Sequence, residues 1–248
     1  MSSSVQRALH ILVELSSGPL TISELGRRLD VHRTTSLRLL RTLEEERFVR
    51  RTEDGRYRIG PLMAALSHEA LEGFDLRTAA YEHVRALGSA TGHTVHLAAL
   101  DGDSIVYLDK VESRQSIRMY SYVGARAPLH ATGVGKAILA HLDPQERETL
   151  LGTPPYRGYA PNTRTDPDDL AADLARIAEQ GWALDDFEHE EFIHCVAAPI
   201  KGVTGKVDAA VSVSAPEVTL DRQGLLGLVG ELTSTAEAIS EELGWSRT

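Results

Sequence analysis

Apolar residues recur at helical spacing in three segments near the start of the chain, which predicts three short helices. The first runs from Val5 to Ser16 and ends before a glycine and a proline, which commonly follow a helix C-terminus. Thr21 followed by Glu24 is a capping-box sequence at the start of the second helix. The third follows a short turn over residues 30–32 and is expected to run to about Glu46.

The third predicted helix has an apolar side and a cationic side. With about 100° of rotation per residue, the packing side carries Ser36, Leu39, Leu40 and Leu43, and the opposite side carries Thr34, Arg38, Arg41 and Thr42. An arginine fork fits guanine and phosphate, and hydroxyl groups reach phosphate oxygens. The pattern favours a DNA recognition helix. Taken alone, an ordinary solvated helix would look the same.

A short hairpin is predicted directly after the three helices. Phe48 to Thr52 and Arg56 to Ile59 have strand-like composition, and an Asp-Gly pair at positions 54 and 55 is a strong hairpin signal. Three helices followed by a hairpin indicate a winged helix-turn-helix. The wing carries four arginines, at positions 50, 51, 56 and 58, which suit a sugar-phosphate backbone. The alternative is a winged helix used only for protein contacts.

The remainder of the chain predicts a mixed domain. Residues 61–71 resemble a linker helix with a proline in its first turn. Its apolar residues would pack either on a partner subunit or on its own domain, and Gly73 marks a boundary. The following strands are expected at Thr94–Leu100, Ile105–Val111, Ser116–Tyr122, Trp182–Phe187, Ile193–Ile200 and Val207–Ser214. The helices are expected at Leu76–Thr91, Thr132–Leu142, Pro144–Leu151, Asp168–Glu179 and Leu220–Leu243.

The predicted fold class is α+β with a largely antiparallel sheet, because the strands are joined by hairpins without a regular βαβ alternation. The expected domains are a DNA-binding domain at residues 1–60, a linker helix at 61–73 and an effector-binding and oligomerisation domain at 74–248.

Charge is divided unevenly along the 248 residues. The net charge is −10, yet residues 1–60 carry 11 arginines and no lysine against 8 acidic residues. This asymmetry is typical of a basic DNA-binding domain joined to an acidic domain. Cys195 is the only cysteine, so no intramolecular disulfide can form. The sequence shows neither a signal peptide nor an apolar run of spanning length, so we expect a cytoplasmic protein without membrane contact.

A ligand site is predicted where two small polar patterns could meet. Ser212 and Ser214 alternate with valines and therefore share one sheet face. Thr132 and Gly133 begin a helix whose free N–H groups could receive an anion. Hydroxyls and N–H donors with apolar walls suit a carboxylate. Asp185 and Cys195 could complete the cavity. A surface or capping carboxylate is an equal alternative for Asp185, and a buried small hydrophobe is favoured over a reactive thiol for Cys195, because no cationic neighbour is evident to lower its pKa.

Catalytic motifs fail on inspection. The GVGK segment lacks the first glycine and the final Ser or Thr of a P-loop, and the histidines of HEEFIH are five residues apart rather than four. No cofactor and no metal are predicted. Among ten histidines, those that could form a structural metal site are His93, His96, His130 and His194, although satisfied polar roles are more common.

The chain resembles the IclR family of bacterial transcriptional regulators along nearly its whole length. The matching segments include LTISELGRRLDVHRTTSLRLLRTLEEERFVRR, DGRYRIGP, VGARAPLHATGVGKAILA, WALDDFEHEEFIHCVAAPI and AAVSVSAP. The resemblance implies a winged helix-turn-helix, a linker helix and an effector domain related to the GAF fold. It also implies a homodimer or homotetramer that binds double-stranded operator DNA and responds to a small organic acid.

The resemblance also assigns residues. The effector contacts it implies are Met119, Gly133, Val134, Asp185, Ile193, Cys195, Ser212 and Ser214. The expected DNA-binding residues are Arg33, Thr34, Thr35, Leu37, Arg38, Arg41, Arg51 and Arg56. Two positions depart from the family pattern. Leu37 replaces a polar or aromatic residue and could contact a thymine methyl, and His194 stands where an arginine often precedes the cysteine.

The sequence therefore predicts a ligand-responsive transcriptional regulator and no enzymatic activity. Two alternatives remain at this point. One is a metabolic enzyme with a winged-helix appendage, using Cys195 or a histidine-bound metal. The other is a constitutive DNA-binding protein with a vestigial pocket.

Overall fold

The computed structural model of the chain describes residues 4–72, 75–115 and 119–246. The chain divides into two compact units, residues 1–73 and residues 74–248. In the first unit, the elements are α1 (Ser4–Ser16), α2 (Ile22–Arg28), α3 (Arg33–Glu45), β1 (Val49–Arg51), β2 (Tyr57–Ile59) and α4 (Pro61–Glu72). Three helices and a two-stranded hairpin in this order confirm the predicted winged helix-turn-helix.

The helices of the first unit pack as their sequence pattern requires. The buried residues of α3 are Ser36, Leu39, Leu40 and Leu43, which confirms the predicted packing side. The predicted capping box at the start of α2 is also present. The Glu24 N–H donates to the Thr21 hydroxyl at 3.3 Å, and the Thr21 N–H donates to the Glu24 carboxylate at 2.7 Å.

The hairpin turns at Gly55, whose φ of +80° is a left-handed conformation that glycine adopts without strain. The strands are shorter than predicted, with Arg50 paired to Arg58. Leu20 adds two backbone hydrogen bonds to Tyr57, of 3.0 and 2.8 Å. These bonds tie the hairpin to the segment before α2, so the wing is attached to the helix-turn-helix by backbone as well as by side chains.

The linker helix α4 begins against its own unit, because the Leu62 N–H donates to the Arg47 carbonyl at 3.3 Å. Leu62 and Met63 are half-buried, whereas Leu66 is 46% exposed. The first turn therefore docks locally and the next turn presents an apolar residue outward.

The second unit is built on a six-stranded antiparallel sheet with the order β5-β4-β3-β8-β7-β6. Its strands are β3 (Thr94–Asp101), β4 (Ser104–Val111), β5 (Arg126–Ala127), β6 (Ala183–Asp186), β7 (Ile193–Lys201) and β8 (Val207–Pro216). Its helices are α5 (Asp75–Thr91), α6 (Gly133–Leu139), α7 (Pro144–Leu151), α8 (Pro167–Gln180), α9 (Arg222–Gly227) and α10 (Val229–Glu242). This arrangement confirms the α+β class.

The two faces of this sheet support different layers. Val211 and Val213 pack with α5 and α10 in one core, and Ala210 packs with α6 and α8 in a second core. Ser212 and Ser214 alternate with the valines and therefore lie on the α6 side, as their spacing predicts. The polar side of the sheet is thus partly covered by a helix.

Three predictions about the second unit are corrected. Residues 116–118 of the predicted strand Ser116–Tyr122 lie outside the described residues, and 119–122 form no strand. The Lys110 ammonium donates to the Met119 and Ser121 carbonyls at 3.1 and 2.7 Å, so a side chain occupies the acceptors that a strand would use.

The predicted helix Leu220–Leu243 is two helices, α9 and α10, separated at Leu228. The segment around the break carries glycines at positions 224, 227 and 230, and glycine disfavours helix interiors. The predicted helix Thr132–Leu142 is shorter, because Thr132 is its N-cap and it ends at Leu139. Within the described ranges, no helix is long and apolar enough to cross a bilayer.

Candidate functional site

The outward side of α3 presents a cationic surface. Arg33, Arg38 and Arg41 are exposed, and within the described residues no carboxylate pairs with any of them. The Thr34 hydroxyl lies 3.1 Å from the His32 ring, so it is held at the start of the helix. The predicted DNA-binding residues Thr35 and Leu37 are half-buried at the edge of this surface.

The wing arginines differ in how tightly they are held. Arg51 is exposed, and its guanidinium lies 6.0 Å from the centre of the Tyr57 ring. Arg56 pairs with Asp54 at 3.4 Å and donates to the Pro19 carbonyl at 3.3 Å. Arg56 is therefore partly committed within its own unit. Its side chain is half-exposed, so the ion pair is a weak one that a phosphate could replace.

The second unit contains a cavity of roughly 80 Å³ that all eight predicted effector residues line. They come from the loop after β4, the start of α6 and three strands of the sheet. They are Met119, Gly133, Val134, Asp185, Ile193, Cys195, Ser212 and Ser214. The structure brings these residues to one place although they span almost a hundred positions. Whether they contact an effector stays a prediction.

Strand register places the polar side chains in a row across the sheet. Asp185 of β6 pairs with Cys195 of β7, which pairs with Ser214 of β8, which pairs with Thr94 of β3. Directly opposite residues on antiparallel strands point to the same face. Ser212 lies two positions along the same strand and therefore on the same face. A carboxyl, a thiol and hydroxyls thus form the floor of the cavity.

Two glycines allow close approaches at the start of α6, Gly133 to the cavity floor and Gly135 to the segment before the helix. A Cβ on Gly133 would lie 2.6 Å from the Cys195 sulfur, and a Cβ on Gly135 would lie 2.2 Å from the Leu129 carbonyl oxygen. A larger residue at Gly133 would displace the helix from the strand that carries Cys195, and one at Gly135 would displace it from the Leu129 backbone. Thr132 caps the helix by accepting from the Gly135 N–H at 3.2 Å.

Burial controls the ionisation of the cavity floor. Asp185 is 4% exposed, and burial raises the pKa of its carboxyl to about 7, against the lowering effect of the Glu188 backbone N–H. Burial also raises the pKa of the Cys195 thiol far above its ordinary value, with the nearby Asp185 adding to the effect. The pKa of Tyr107 is raised for the same reason. The thiol is therefore a neutral group near pH 7 and no nucleophile.

A buried ion network fixes α6 against the loop that follows β6. The Lys136 ammonium is fully buried and donates to Asp173 at 2.9 Å, to Glu188 at 2.5 Å and to the Leu184 carbonyl at 2.6 Å. Arg164 also reaches Asp173 at 2.9 Å. The network joins the helix that begins at Gly133 to the segment that carries Asp185.

A second anchor holds the loop after β4, which contributes Met119 and Ser121 to the cavity lining. His96 lies on β3, and its Nε2 is 2.8 Å from the Ser121 hydroxyl. Burial lowers the pKa of His96 to about 3, so the ring is neutral. Together with the Lys110 ammonium, this ring holds Met119 and Ser121 over the sheet.

Sequence reasoning missed several members of the cavity. Tyr107, Ser121, His189 and Glu190 line it, and the resemblance had pointed to none of them. Tyr107 on β4 pairs with Ala98 on β3, and Ala98 lies on the same face of β3 as His96. Strand alternation could therefore have indicated that Tyr107 faces this side of the sheet. The loop residues carry no such periodic signal.

The four histidines named as possible metal ligands are not grouped. Within the described part of the chain, no cluster of three or more potential metal ligands occurs. The His194 Nε2–H donates to the Leu220 carbonyl at 2.8 Å, and the ring stacks on Phe187. Its position next to Cys195 on the strand sends it to the face away from the cavity, so the departure from the family pattern at this position does not alter the cavity wall.

Two family models match the sequence. The one described as Bacterial transcriptional regulator IclR C-terminal matches residues 68–241, and the one described as HVO_A0261 N-terminal domain matches residues 1–79. Among curated relatives, the HTH-type transcriptional regulator XynR of Escherichia coli (strain K12) is 33% identical over 245 residues, which cover 98% of this chain and 97% of XynR.

Solved structures are similar over the same extent. The crystal structure of the Thermotoga maritima IclR matches with a TM-score of 0.83 at 33% identity, covering 98% of this chain and 99% of that one. An IclR homologue from Microbacterium hydrocarbonoxydans, crystallised with 4-hydroxybenzoate, matches with a TM-score of 0.81 at 26% identity, covering 97% and 99%.

Proposed function

The chain belongs to the IclR family of bacterial transcriptional regulators, and from this premise we propose that it binds operator DNA through its first unit and senses a small carboxylic acid in its second. Residues 1–60 would form the DNA-binding domain, 61–73 the linker helix, and 74–248 the effector-binding and oligomerisation domain. As a regulator that must reach the genome, it would act in the cytoplasm as a homodimer or homotetramer.

The DNA-binding proposal depends on the exposed side of α3. A helix in the major groove reads base edges with its outward side chains, and here these are arginines without a carboxylate partner in the described chain. Arg33, Arg38 and Arg41 would contact bases or phosphates, with Thr34, Thr35 and Leu37 beside them. Arg51 and Arg56 on the wing would contact the sugar-phosphate backbone.

The effector proposal depends on one observation above others, which is that eight residues from distant segments line a single small cavity. Hydroxyl groups of Ser212 and Ser214 can donate to a carboxylate, and Val134 and Ile193 supply apolar walls. A related chain has been crystallised with 4-hydroxybenzoate, which is a carboxylate. A cavity of about 80 Å³ suits a small acid or part of a larger one.

The proposed mechanism is a coupling of two binding equilibria. An effector can change operator affinity only if it binds one arrangement of the protein more tightly than another. No turnover is required of the cavity, and the neutral thiol of Cys195 supports a binding role over a catalytic one. We therefore propose that the protein is not an enzyme.

The proposal is tested by isolating genomic DNA fragments with the purified full-length protein and measuring their affinity by fluorescence anisotropy. Arg38→Ala is expected to weaken binding by about 1–3 kcal/mol if Arg38 reads a base. Arg114→Ala removes the same charge from an exposed position in the second unit and is expected to leave the affinity unchanged.

Effector binding is tested by calorimetry with a panel of small acids, followed by anisotropy with each acid that binds. Ser212→Ala is expected to weaken the acid and leave DNA affinity without acid intact. Equal affinity of Arg38→Ala and the unmodified chain for every fragment would contradict the assigned DNA surface. If acids bind but leave the operator affinity unchanged, the protein would instead be the constitutive DNA-binding protein considered as an alternative.

A further inference from the structure

The effector cavity contains a buried carboxyl group without a counter-ion. Oδ1 of Asp185 accepts the Glu188 N–H at 2.7 Å, and Oδ2 lies 4.0 Å from the Cys195 sulfur. Within the described residues, no lysine, arginine or histidine nitrogen lies within ion-pair distance of this carboxyl. An ionised carboxylate in such a place is costly unless something neutralises it.

The nearest buried cation is already committed. All three donors of the Lys136 ammonium have acceptors, namely the carboxylates of Asp173 and Glu188 and the Leu184 carbonyl. Arg164 and Arg176 also pair with this network, through Asp173, and neither pairs with Asp185. Lys136 therefore cannot serve as the counter-ion of Asp185 or of an incoming anion.

The other groups that face Asp185 supply no positive charge near neutral pH. Tyr107 from β4 and Cys195 from β7 are neutral, because burial raises both of their pKa values. In the loop after β6, burial lowers the pKa of His189, and Glu190 is an exposed carboxylate. Arg126 of β5 lies at the cavity edge, 61% exposed, where Asp103 already pairs with it at 3.2 Å.

From this arrangement we propose that the cavity binds a carboxylic acid together with one proton, which is held in a hydrogen bond between Asp185 and the ligand carboxylate. The inference rests on the proposed function, since it assumes that the effector is an acid. Asp185 keeps its proton and donates it to a ligand oxygen, while the serine hydroxyls donate to the remaining lone pairs.

The physical reason is that two carboxylates a few ångströms apart in a closed site cannot both be ionised. Below its pKa of about 7, Asp185 already carries the required proton. At higher pH the proton must be taken from solvent when the acid binds. Affinity should then fall by about tenfold per pH unit above that value, or on the order of 100-fold between pH 7 and pH 9.

The experiment is titration calorimetry of the full-length protein with acetate, lactate and 4-hydroxybenzoate between pH 6 and pH 9. The carboxyl groups of these acids are ionised throughout this range. The phenol of 4-hydroxybenzoate begins to ionise near the upper end, so acetate and lactate decide the result above pH 8. At pH 8.5 the measurement is repeated in two buffers of different ionisation enthalpy. The difference between the two binding enthalpies gives the number of protons taken up per bound acid. The expected result is uptake of about one proton per bound acid. The neutral amides of the same acids should show no such pH dependence.

Two variants locate the proton. Asp185→Asn keeps a donor of similar shape and should bind acids equally at pH 6 and pH 9, with no proton uptake. His189→Gln removes another titratable group of the cavity and should retain the pH dependence. Binding of acids with a flat pH profile and no proton uptake by the unmodified chain would overturn the inference and leave the proposed function intact. No binding of any acid at any pH would contradict the proposed carboxylate effector itself.

Discussion

Replacement of Lys136 by methionine provides a sharp test of the buried ion network. The substitution keeps the length and volume of the side chain and removes only the ammonium. Lys136 is fully buried and donates to two carboxylates whose side chains are each 2% exposed. Removal of one partner from a buried ion pair leaves an uncompensated charge and costs about 3–5 kcal/mol. We expect a loss of stability of this size at pH 7.

The structure also indicates which carboxylate causes most of the loss. Without Lys136, Asp173 still contacts Arg164 at 2.9 Å and Arg176, whereas Glu188 keeps only Arg164 at 3.9 Å. Burial already raises the pKa of Glu188. In Lys136→Met the pKa of Glu188 would be higher in the folded state than in the unfolded state. The free energy of unfolding of this variant therefore falls as pH rises, and the variant loses more stability at pH 8 than at pH 5.

The assay is urea unfolding followed by tryptophan fluorescence, because both tryptophans, Trp182 and Trp245, belong to the second unit. Adding Glu188→Gln to Lys136→Met should restore more stability than adding Asp173→Asn. Lys206→Met, at an exposed position, is the matched control and should change little. A single variant within 1 kcal/mol of the unmodified chain, or a double variant with no recovery, would refute the reasoning.

Three further predictions concern single positions. Gly133→Ala places a Cβ 2.6 Å from the Cys195 sulfur, so it should destabilise the second unit by about 1–3 kcal/mol and weaken acid binding measured by calorimetry. Gly227→Ala is the control and should have neither effect, because its Cβ would meet nothing within 4 Å. The buried Ser36 hydroxyl has no hydrogen-bond partner among the residues that the structure describes, so Ser36→Ala should stabilise the first unit by up to about 1 kcal/mol in scanning calorimetry. A lower melting temperature would refute this. The folded pKa of Asp185, about 7, lies above its ordinary 3.8, so its contribution to stability is complete below pH 4 and is lost as pH rises towards 7. This loss amounts to about 1.4 kcal/mol per pH unit, and urea unfolding of Asp185→Asn should not show it.

The sequence predicted best what depends on neighbouring residues. The buried side of α3 and the capping box of α2 follow from spacings of three and four residues, and both are present. Strand alternation placed Ser212 and Ser214 on one face. The residue pattern alone had suggested that Gly133, Asp185, Cys195, Ser212 and Ser214 share a site, and the resemblance added Met119, Val134 and Ile193. The structure gathers all eight around one cavity.

The sequence predicted least where distant residues decide the outcome. Lys136 and Glu188 are 52 positions apart, and no periodic pattern marks a lysine that will be buried between carboxylates. The segment 119–122 has strand-like composition, but its carbonyls are taken by the Lys110 ammonium instead of a neighbouring strand. Residues 220–243 have the apolar spacing of one amphipathic helix, and this pattern predicted a single long helix. The glycines around Leu228 interrupt that helix, but they are a weaker signal in the sequence than the apolar spacing.

The alternation of serine and valine along β8 divides two tasks between the two sides of one strand. Ser212 and Ser214 face the cavity, and Val211 and Val213 face the core under α5 and α10. In the proposed effector site, mutations on the first side would change which molecule is recognised, while the second side preserves the architecture. A lineage of regulators could therefore acquire new chemical inputs by exchanging a few small residues, without having to evolve a new scaffold.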